Sequence, residues 1–217
     1  MECSITDWSA PGKVYAAQLS EDLSSFNTEN QIKLHVIKDD MLKNHGYYRI
    51  GREGYDTCII SSENGVYQFI PPKDHGSEWE IEQLLDTPAS DATLIDLDED
   101  GVEELVVLSP FHGDQMDIYK RVKGVYSKIF SHDKKTEFLP ALYKGNISGK
   151  PVVFIGHRKG ERDLFALNYD KVTGQYQVEV IDHNCGSANA YYFNKDGIDT
   201  LITTNREINE VTMYRMS

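Results

Sequence analysis

The chain has 217 residues, with 22 basic and 35 acidic side chains that give a formal net charge of −13 at pH 7. This length suits one large domain or two small ones, and 40% hydrophobic with 26% charged residues is the composition of a folded globular chain. The acidic charge argues against a nucleic-acid-binding protein, because affinity for phosphates comes mainly from Lys and Arg. Cations and neutral or basic partners agree better with this charge.

The three cysteines, Cys3, Cys58 and Cys185, are widely spaced and odd in number, so a disulfide framework is not expected. No apolar run approaches the roughly 18 residues of a membrane span, and no signal-peptide pattern precedes Trp8. As written, the chain is expected to be cytoplasmic without membrane insertion. If it is a fragment that lost a signal peptide, we expect a secreted or cell-surface protein.

Taken along the chain, the predicted strands recur around a repeated glycine. Gly54, Gly101, Gly149 and Gly197 are spaced by 47, 48 and 48 residues, and each precedes an aliphatic run. One apolar or aromatic run precedes each glycine, and two further runs follow the aliphatic one. Each unit therefore predicts four short antiparallel strands, named a to d.

Residues 1–43 match this unit only in part. Glu2–Thr6 and Lys13–Gln18 match strands b and c, a short helix is predicted near Ser20–Phe26, and Gln31–Lys38 alternates like an outer strand. In one interpretation Gln31–Lys38 closes the last blade of a four-bladed ring. In the other, which the strand matching favours, residues 1–43 form a partial fifth blade.

The rest of the chain divides into three complete units and one that stops after its third strand. These units are residues 44–90, 91–138, 139–186 and 187–217. Turns such as Lys123-Gly124 suit tight hairpins. Ser77 and Glu80 resemble a helix capping box, but the equivalent segments of other units alternate like strands, so a strand is expected there.

Four-stranded antiparallel units of this length are typical of propeller blades. We therefore expect an all-β, single-domain β-propeller over residues 1–217, with four to five blades. An incomplete ring would leave strand edges exposed, which proteins normally cover. With residues 1–43 as a partial blade, the chain is expected to belong to a larger propeller that a missing segment or a second chain completes.

One motif predicts a specific chemistry, because the second unit reads D-x-D-x-D-G-x-x-E between two apolar strands. Alternate positions in a tight loop turn their oxygens inward, and the glycine permits the sharp turn. Hard oxygen ligands at this spacing suit Ca²⁺. One structural Ca²⁺ is predicted, bound by Asp96, Asp98, Asp100, the Val102 carbonyl and Glu104. The alternative is an acidic turn held by hydrogen bonds from its side chains to its backbone.

In this loop and in repeat length the chain resembles the FG-GAP and VCBS repeat families, found in integrin α-subunit propellers and many bacterial propellers. The resemblance covers nearly the whole chain, although the full ligand set occurs once and no F-G-G-A-P string is present. In such families the loop ion is structural and lies away from the face used for ligands. The resemblance therefore implies an ion that stabilises the fold.

A second group of candidates comes from the predicted topology. In antiparallel blades the d-to-a and b-to-c connections emerge at the same end of the ring, and most of the histidines fall in or beside them. Imidazoles and guanidiniums near a channel mouth can bind a carboxylated sugar, another anion or a metal, or transfer protons. The candidate ligand-binding residues are His45, His112, His132, His157, Arg158, His183, Asn205 and Arg206.

Two functions follow from these residues. The first is a non-catalytic, calcium-stabilised propeller that binds a protein or glycan partner through this loop face. The second is a polysaccharide lyase or related carbohydrate-active enzyme, because the family resemblance implies that propeller lyases use His, Tyr and Arg on such a face. In that enzyme His157 or His183 would be the base, and Arg158 or Arg206 would hold a uronate carboxylate.

Two pairs of tyrosines recur at equivalent positions of their units. These are Tyr47-Tyr48 and Tyr191-Tyr192. They are expected to pack the inner strands, with stacking on a carbohydrate as the alternative.

Overall fold

The computed structural model describes residues 9–74, 77–134 and 136–216, and these contain seventeen strands and two 3₁₀ turns. Almost all regular structure is antiparallel, in four successive sheets preceded by a hairpin. The expected all-β propeller is confirmed. Neither 3₁₀ turn, Leu23–Ser25 or Arg206–Ile208, is long enough to cross a bilayer, and no other helix occurs in the described residues.

The strands follow chain order within each sheet, so that each blade is a meander. The N-terminal hairpin contains β1 (Pro11–Ala16) and β2 (His35–Leu42). Blade 1 contains β3 (Tyr47–Arg52), β4 (Tyr55–Ser62), β5 (Gly65–Ile70) and β6 (Glu80–Leu85). Blade 2 contains β7 (Asp91–Ile95), β8 (Glu104–Ser109), β9 (Gln115–Val122) and β10 (Val125–Ser131). Blade 3 contains β11 (Ala141–Ile147), β12 (Lys150–Gly156), β13 (Leu164–Asp170) and β14 (Gln175–Asp182). Blade 4 contains β15 (Ser187–Lys195), β16 (Ile198–Asn205) and β17 (Glu210–Met216).

The repeated glycines mark the turn or loop between the first two strands of each blade. Gly54, Gly101, Gly149 and Gly197 all have φ between 79° and 90°, in the left-handed region that favours glycine. No heavy atom outside the adjoining residues lies within 4 Å of a Cβ built at any of them. The repeat is therefore required by backbone conformation and not by lack of space.

Within the described residues, three apolar cores join the successive sheets. The largest core contains Leu105 and Val153 and extends through blades 1, 2 and 3. A second core, with Phe154 and Leu201, joins blade 3 to blade 4. A third, which includes Met41, packs the N-terminal hairpin on blade 1. Burial of these faces provides the main driving force for stacking the blades.

The segment that resembles a capping box is a strand, as expected. Glu80–Leu85 forms β6 and pairs with β5, with Ile81 opposite Phe69. The short helix predicted near Ser20–Phe26 is the single 3₁₀ turn Leu23–Ser25. Tertiary pairing makes Glu80–Leu85 a strand, because it hydrogen-bonds to the edge of β5 that β4 does not occupy.

Among residues 9–43, the described part of the N-terminal segment, no strand closes the last blade. The segment expected to do so overlaps β2, which begins at His35 and pairs with β1. Among the described strands only β16 pairs with β17. The interpretation in which Gln31–Lys38 supplies the outer strand of blade 4 is therefore wrong. The predicted strand Glu2–Thr6 lies outside the described residues.

Both end sheets have a partly uncovered face. Ile198 and Met213 of blade 4 are 45% and 53% exposed, and Val36 of the N-terminal hairpin is 50% exposed. In the blades between them, the buried apolar strand residues pack against a neighbouring sheet.

Candidate functional site

The acidic loop between β7 and β8 folds around its own backbone. Asp96 accepts the N–H groups of Asp100 and Gly101, at 3.1 and 2.9 Å, and Asp100 accepts the Val102 N–H at 2.9 Å. These bonds turn the side chains inward. Carboxylate oxygens of the four predicted acidic ligands, Asp96, Asp98, Asp100 and Glu104, lie within 4.8 Å of one another. This cluster could hold a metal ion.

A lysine from the neighbouring strand lies among these carboxylates. Lys120 Nζ is 2.6 Å from Asp98 Oδ2, 2.9 Å from Asp100 Oδ2 and 2.6 Å from Glu104 Oε1. Glu104 is fully buried, and its other oxygen accepts the Leu97 N–H at 2.7 Å. The oxygen donors fit Ca²⁺ in type, but the chain itself places a cation among them.

Burial disfavours the charged forms of both Glu104 and Lys120. Burial raises the pKa of Glu104, and Lys120 and the Leu97 N–H only partly oppose it. Burial would also lower the pKa of Lys120, but hydrogen bonds to Asp98, Glu104 and Asp100 outweigh it and hold that pKa well above its usual range. The lysine is therefore an ammonium at neutral pH.

A cavity of about 760 Å³ opens where the inner strands of the four blades begin. Its wall includes Tyr47 of β3, Asp91 of β7, Tyr143 of β11 and Tyr191 of β15. The volume lies within the range of small-molecule sites. The cavity is on the end of the propeller that the sequence predicts as the ligand face.

Two predicted histidines meet at this cavity. His45 precedes β3 and His112 follows β8, and their Nε2 atoms are 3.1 Å apart. The His112 ring stacks on Phe111 at a centroid distance of 4.1 Å and lies 4.5 Å from the Phe138 ring. Burial lowers the pKa of His45, and burial together with His45 and Arg158 lowers that of His112 to about 4. Both imidazoles are neutral at pH 7.

Two predicted arginines also line the cavity, each from a connection between the second and third strands of its blade. Arg158 donates to one oxygen of Glu207 from Nε and Nη2, at 2.8 and 2.6 Å. Its guanidinium lies 4.9 Å from the centre of the Phe138 ring, within the range of a cation–π contact. Arg206 begins the 3₁₀ turn Arg206–Ile208 and is exposed.

Tyrosines form the aromatic part of the cavity wall. Tyr47 and Tyr191 are 57% and 56% exposed, which leaves ring surface available to a ligand. Tyr143 connects the others, with ring centroids 5.8 Å from Tyr48 and 5.3 Å from Tyr191. Tyr192 points the other way, packs on Phe154 and donates its hydroxyl to Asp199. Of the two recurring tyrosine pairs, only Tyr192 therefore lies outside the cavity.

Asp91 was not among the candidates from sequence, yet it lines the same cavity. Its Oδ1 accepts the Ala92 N–H at 2.9 Å, and burial raises its pKa to about 7. A Cβ at residue 46 would lie 2.6 Å from that oxygen, so Gly46 makes room for the carboxyl group. The sequence signal is weak: one carboxylate at the start of a mostly apolar inner strand.

Four predicted ligand-binding residues do not line the cavity. His157 is buried with both ring nitrogens engaged: Nε2 accepts the Asp163 N–H at 2.9 Å and Nδ1 donates to the Lys159 carbonyl at 2.8 Å. His183 lies 3.0 Å from Asp163 and its side chain is 77% exposed. His157 and His183, the two proposed bases, therefore do not line the cavity with Arg158 and Arg206.

The other two residues contact side chains of the blades. Asn205 is buried and accepts from Ser187 and Thr203 at 2.7 and 2.9 Å. His132 of the loop after β10 lies beside the Phe165 ring of blade 3, with centroids 5.6 Å apart. Position in a connecting loop could be predicted from topology, but the direction of each side chain could not.

No family model and no curated protein matches the chain. Among solved structures it is similar to an intramolecular trans-sialidase from leech, determined with 2,7-anhydro-Neu5Ac after soaking with 3′-sialyllactose. The TM-score is 0.55 at 14% sequence identity, over 91% of this chain and 35% of the leech chain. The chain therefore spans about a third of that protein, and this likeness shows a shared propeller fold.

Proposed function

We propose that this propeller is a binding module for a carboxylated sugar, which it holds in the cavity where the inner strands begin. The observation that supports the proposal is the convergence of Arg158, Arg206 and exposed tyrosine rings around one space of about 760 Å³. The arginines bind the acidic group and the tyrosines bind the ring.

The chemistry of these side chains suits a sugar acid. A guanidinium presents a planar set of N–H donors that matches a carboxylate, and it remains charged at physiological pH. Tyrosine offers an apolar face with a polar edge, which suits a sugar ring that has C–H faces and hydroxyl edges. Two arginines in one cavity also provide local positive charge on a chain whose net charge is −13.

Binding without catalysis is favoured because neither His157 nor His183 lines the cavity with the arginines. In the cavity wall His45 and His112 are neutral, and their Nε2 atoms are hydrogen-bonded to each other. In the neutral state one imidazole donates to the other, and the Nδ1 atom of His45 is buried, so neither ring nitrogen of His45 is open to a ligand.

A carbohydrate-active enzyme is the second candidate, and Asp91 is the observation that favours it. A carboxyl group with a pKa of about 7 can give or accept a proton at neutral pH. The same group lies in the cavity with the arginines. In this alternative Asp91 takes the role that the sequence suggested for His157 or His183.

Calcium enters this proposal only through the acidic loop, away from the ligand. A Ca²⁺ ion would bind Asp98, Asp100 and Glu104 only by displacing the Lys120 ammonium. The ion would then stabilise blade 2 and would take no part in sugar binding.

Isothermal titration calorimetry with the whole chain tests the proposal. The probes are glucuronate and galacturonate oligomers and 3′-sialyllactose, with neutral lactose as the matched control. We expect an acidic probe to bind at least tenfold more tightly than lactose. We expect Arg206→Gln to remove this preference while Arg215→Gln, which does not line the cavity, retains it.

Equal affinity for acidic and neutral sugars would contradict the proposal. Turnover of an acidic oligomer that disappears in Asp91→Asn would favour the enzyme instead. Absence of binding to every sugar, with intact folding by circular dichroism, would direct the search to a protein partner.

A further inference from the structure

The acidic loop of blade 2 has the sequence of a metal-binding loop, yet an ammonium lies among its carboxylates. Lys120 Nζ is within 2.9 Å of an oxygen from each of Asp98, Asp100 and Glu104. We infer that Lys120 takes the place of the metal ion, so that the loop folds around a cation supplied by the chain.

Strand register places the lysine there. Lys120 on β9 lies directly opposite Glu104 on β8, and side chains at paired positions of an antiparallel ladder project from the same face. The apolar stem of Lys120 packs inside the blade, because the side chain is only 15% exposed. The position of its charge is therefore set by the ladder and does not depend on a flexible surface side chain.

Each of the four acidic side chains has a partner within the chain. The Lys120 ammonium donates to Asp98 and Glu104 and forms an ion pair with Asp100 at 2.9 Å. Asp96, the one acidic ligand without this contact, accepts two backbone N–H groups. Glu104 uses its second oxygen for the Leu97 N–H. All four carboxylates are thus stabilised within the chain, although Ca²⁺ would need these same oxygens in a shell of six to eight.

The other blades support a specific pairing. Counting three residues after the repeated glycine gives Val152 in blade 3 and Thr200 in blade 4 as the positions equivalent to Glu104. Neither is a carboxylate, and the residue opposite Thr200 is Arg215. The carboxylate and the lysine thus occur together in the blade that has the complete acidic loop.

Thermal unfolding of the whole chain in EDTA and in 1 mM CaCl₂ tests this inference. We expect the wild-type melting temperature to be the same in both solutions and calorimetry with CaCl₂ to show no binding. Lys120→Met keeps the length of the stem and removes the charge, so it leaves a buried carboxylate without its partner. We expect it to lower the melting temperature in EDTA by roughly 5–15 °C and expect CaCl₂ to restore most of the loss.

Lys128→Met is the matched control, since Lys128 pairs with Asp117 of the same blade at 2.7 Å outside the loop. Its melting temperature should not respond to calcium. A wild-type melting temperature that falls in EDTA and recovers with calcium would overturn the inference. A Lys120→Met variant as stable as the wild type in EDTA would overturn it as well. If Lys120→Met does not fold, the wild-type calorimetry and chelation still decide the question.

Discussion

The Nε2 atoms of His45 and His112 lie 3.1 Å apart across the wall of the cavity, although 67 positions separate the two residues in the chain. At that distance one imidazole donates to the other, which requires at least one of them to be neutral. Protonation of both rings would replace this hydrogen bond by repulsion. The pair therefore couples blade 1 to blade 2 only while at least one of the two rings is neutral.

Because of this pairing, we expect the stability of the fold to change with pH in the acidic range. The pKa of His112 is lowered to about 4, mainly by burial, so in the folded state it takes up a proton later than in the unfolded chain. Between about pH 6.5 and pH 4 the unfolded state binds more protons, and stability falls as the pH falls. Urea unfolding at pH 7.5, 6.0 and 5.0 should show a decreasing midpoint. His112→Phe, which preserves stacking with Phe111 and Phe138, should reduce that decrease.

His183→Gln is the control for this effect, because the His183 side chain is 77% exposed and outside the cavity. It should retain the wild-type dependence on pH. An identical slope in His112→Phe and wild type would show that this imidazole does not titrate with folding.

Asp91 is expected to change stability with pH in the opposite direction to His112. Its pKa is raised from 3.8 to about 7 by burial, so the folded state holds a proton that the unfolded state has already lost. Stability that is present near pH 4 is therefore lost as the pH rises toward 7, and the loss is constant above that value. Asp91→Asn cannot ionise, so we expect it to be more stable than wild type at pH 8.5 and to lack this slope between pH 5.5 and 7.5. Guanidinium unfolding of both proteins at these pH values measures the difference in stability.

The same carboxyl group should control ligand binding. Above pH 7 the ionised Asp91 opposes the positive charge of Arg158 and Arg206, and affinity for an acidic sugar should decrease. Calorimetry at pH 6 and pH 8 should show this loss in wild type and in Asp133→Asn, which alters an exposed turn, but not in Asp91→Asn. If the wild-type affinity is the same at pH 6 and pH 8, the charge of Asp91 does not affect binding.

Features set by backbone conformation were the most accessible from sequence. Gly54, Gly101, Gly149 and Gly197 predicted the repeat because each occupies a left-handed conformation, and that need is visible in a linear pattern. Loop position also placed His45, His112, Arg158 and Arg206 at one end of the blades. These predictions need only strand order and turn chemistry.

Features set by contacts across strands were missed. The acidic motif consists of neighbouring residues, but its cation comes from Lys120, which only the β8–β9 register identifies. His157 lies in the predicted loop, yet its ring turns inward to the Asp163 N–H and the Lys159 carbonyl. Asp91 has no motif around it. In each case the decisive information is the direction of a side chain.

Glu207 should compete with a bound carboxylate for Arg158. One oxygen of Glu207 accepts two hydrogen bonds from this guanidinium, at 2.8 and 2.6 Å, and the pKa of Glu207 is lowered mainly by Arg158. Glu207→Gln should release part of this interaction and tighten binding of an acidic sugar by about two- to fivefold. Glu210→Gln is the control in the next strand. Weaker binding in Glu207→Gln would mean that the ion pair orients Arg158 for the ligand.

Packing of blade 4 on blade 3 can be tested at Gly145. A Cβ at this position would lie 2.6 Å from Tyr192 Cγ and 2.8 Å from Phe154 Cε2, and both rings belong to the core between these blades. Gly145→Ala should therefore lower the free energy of unfolding by about 1–3 kcal/mol. Gly51→Ala is matched, since its Cβ would meet nothing closer than Asp56 Oδ1 at 3.8 Å, and it should change stability little. Equal stability of the two variants in urea would mean that blade 4 does not pack against blade 3 at this site.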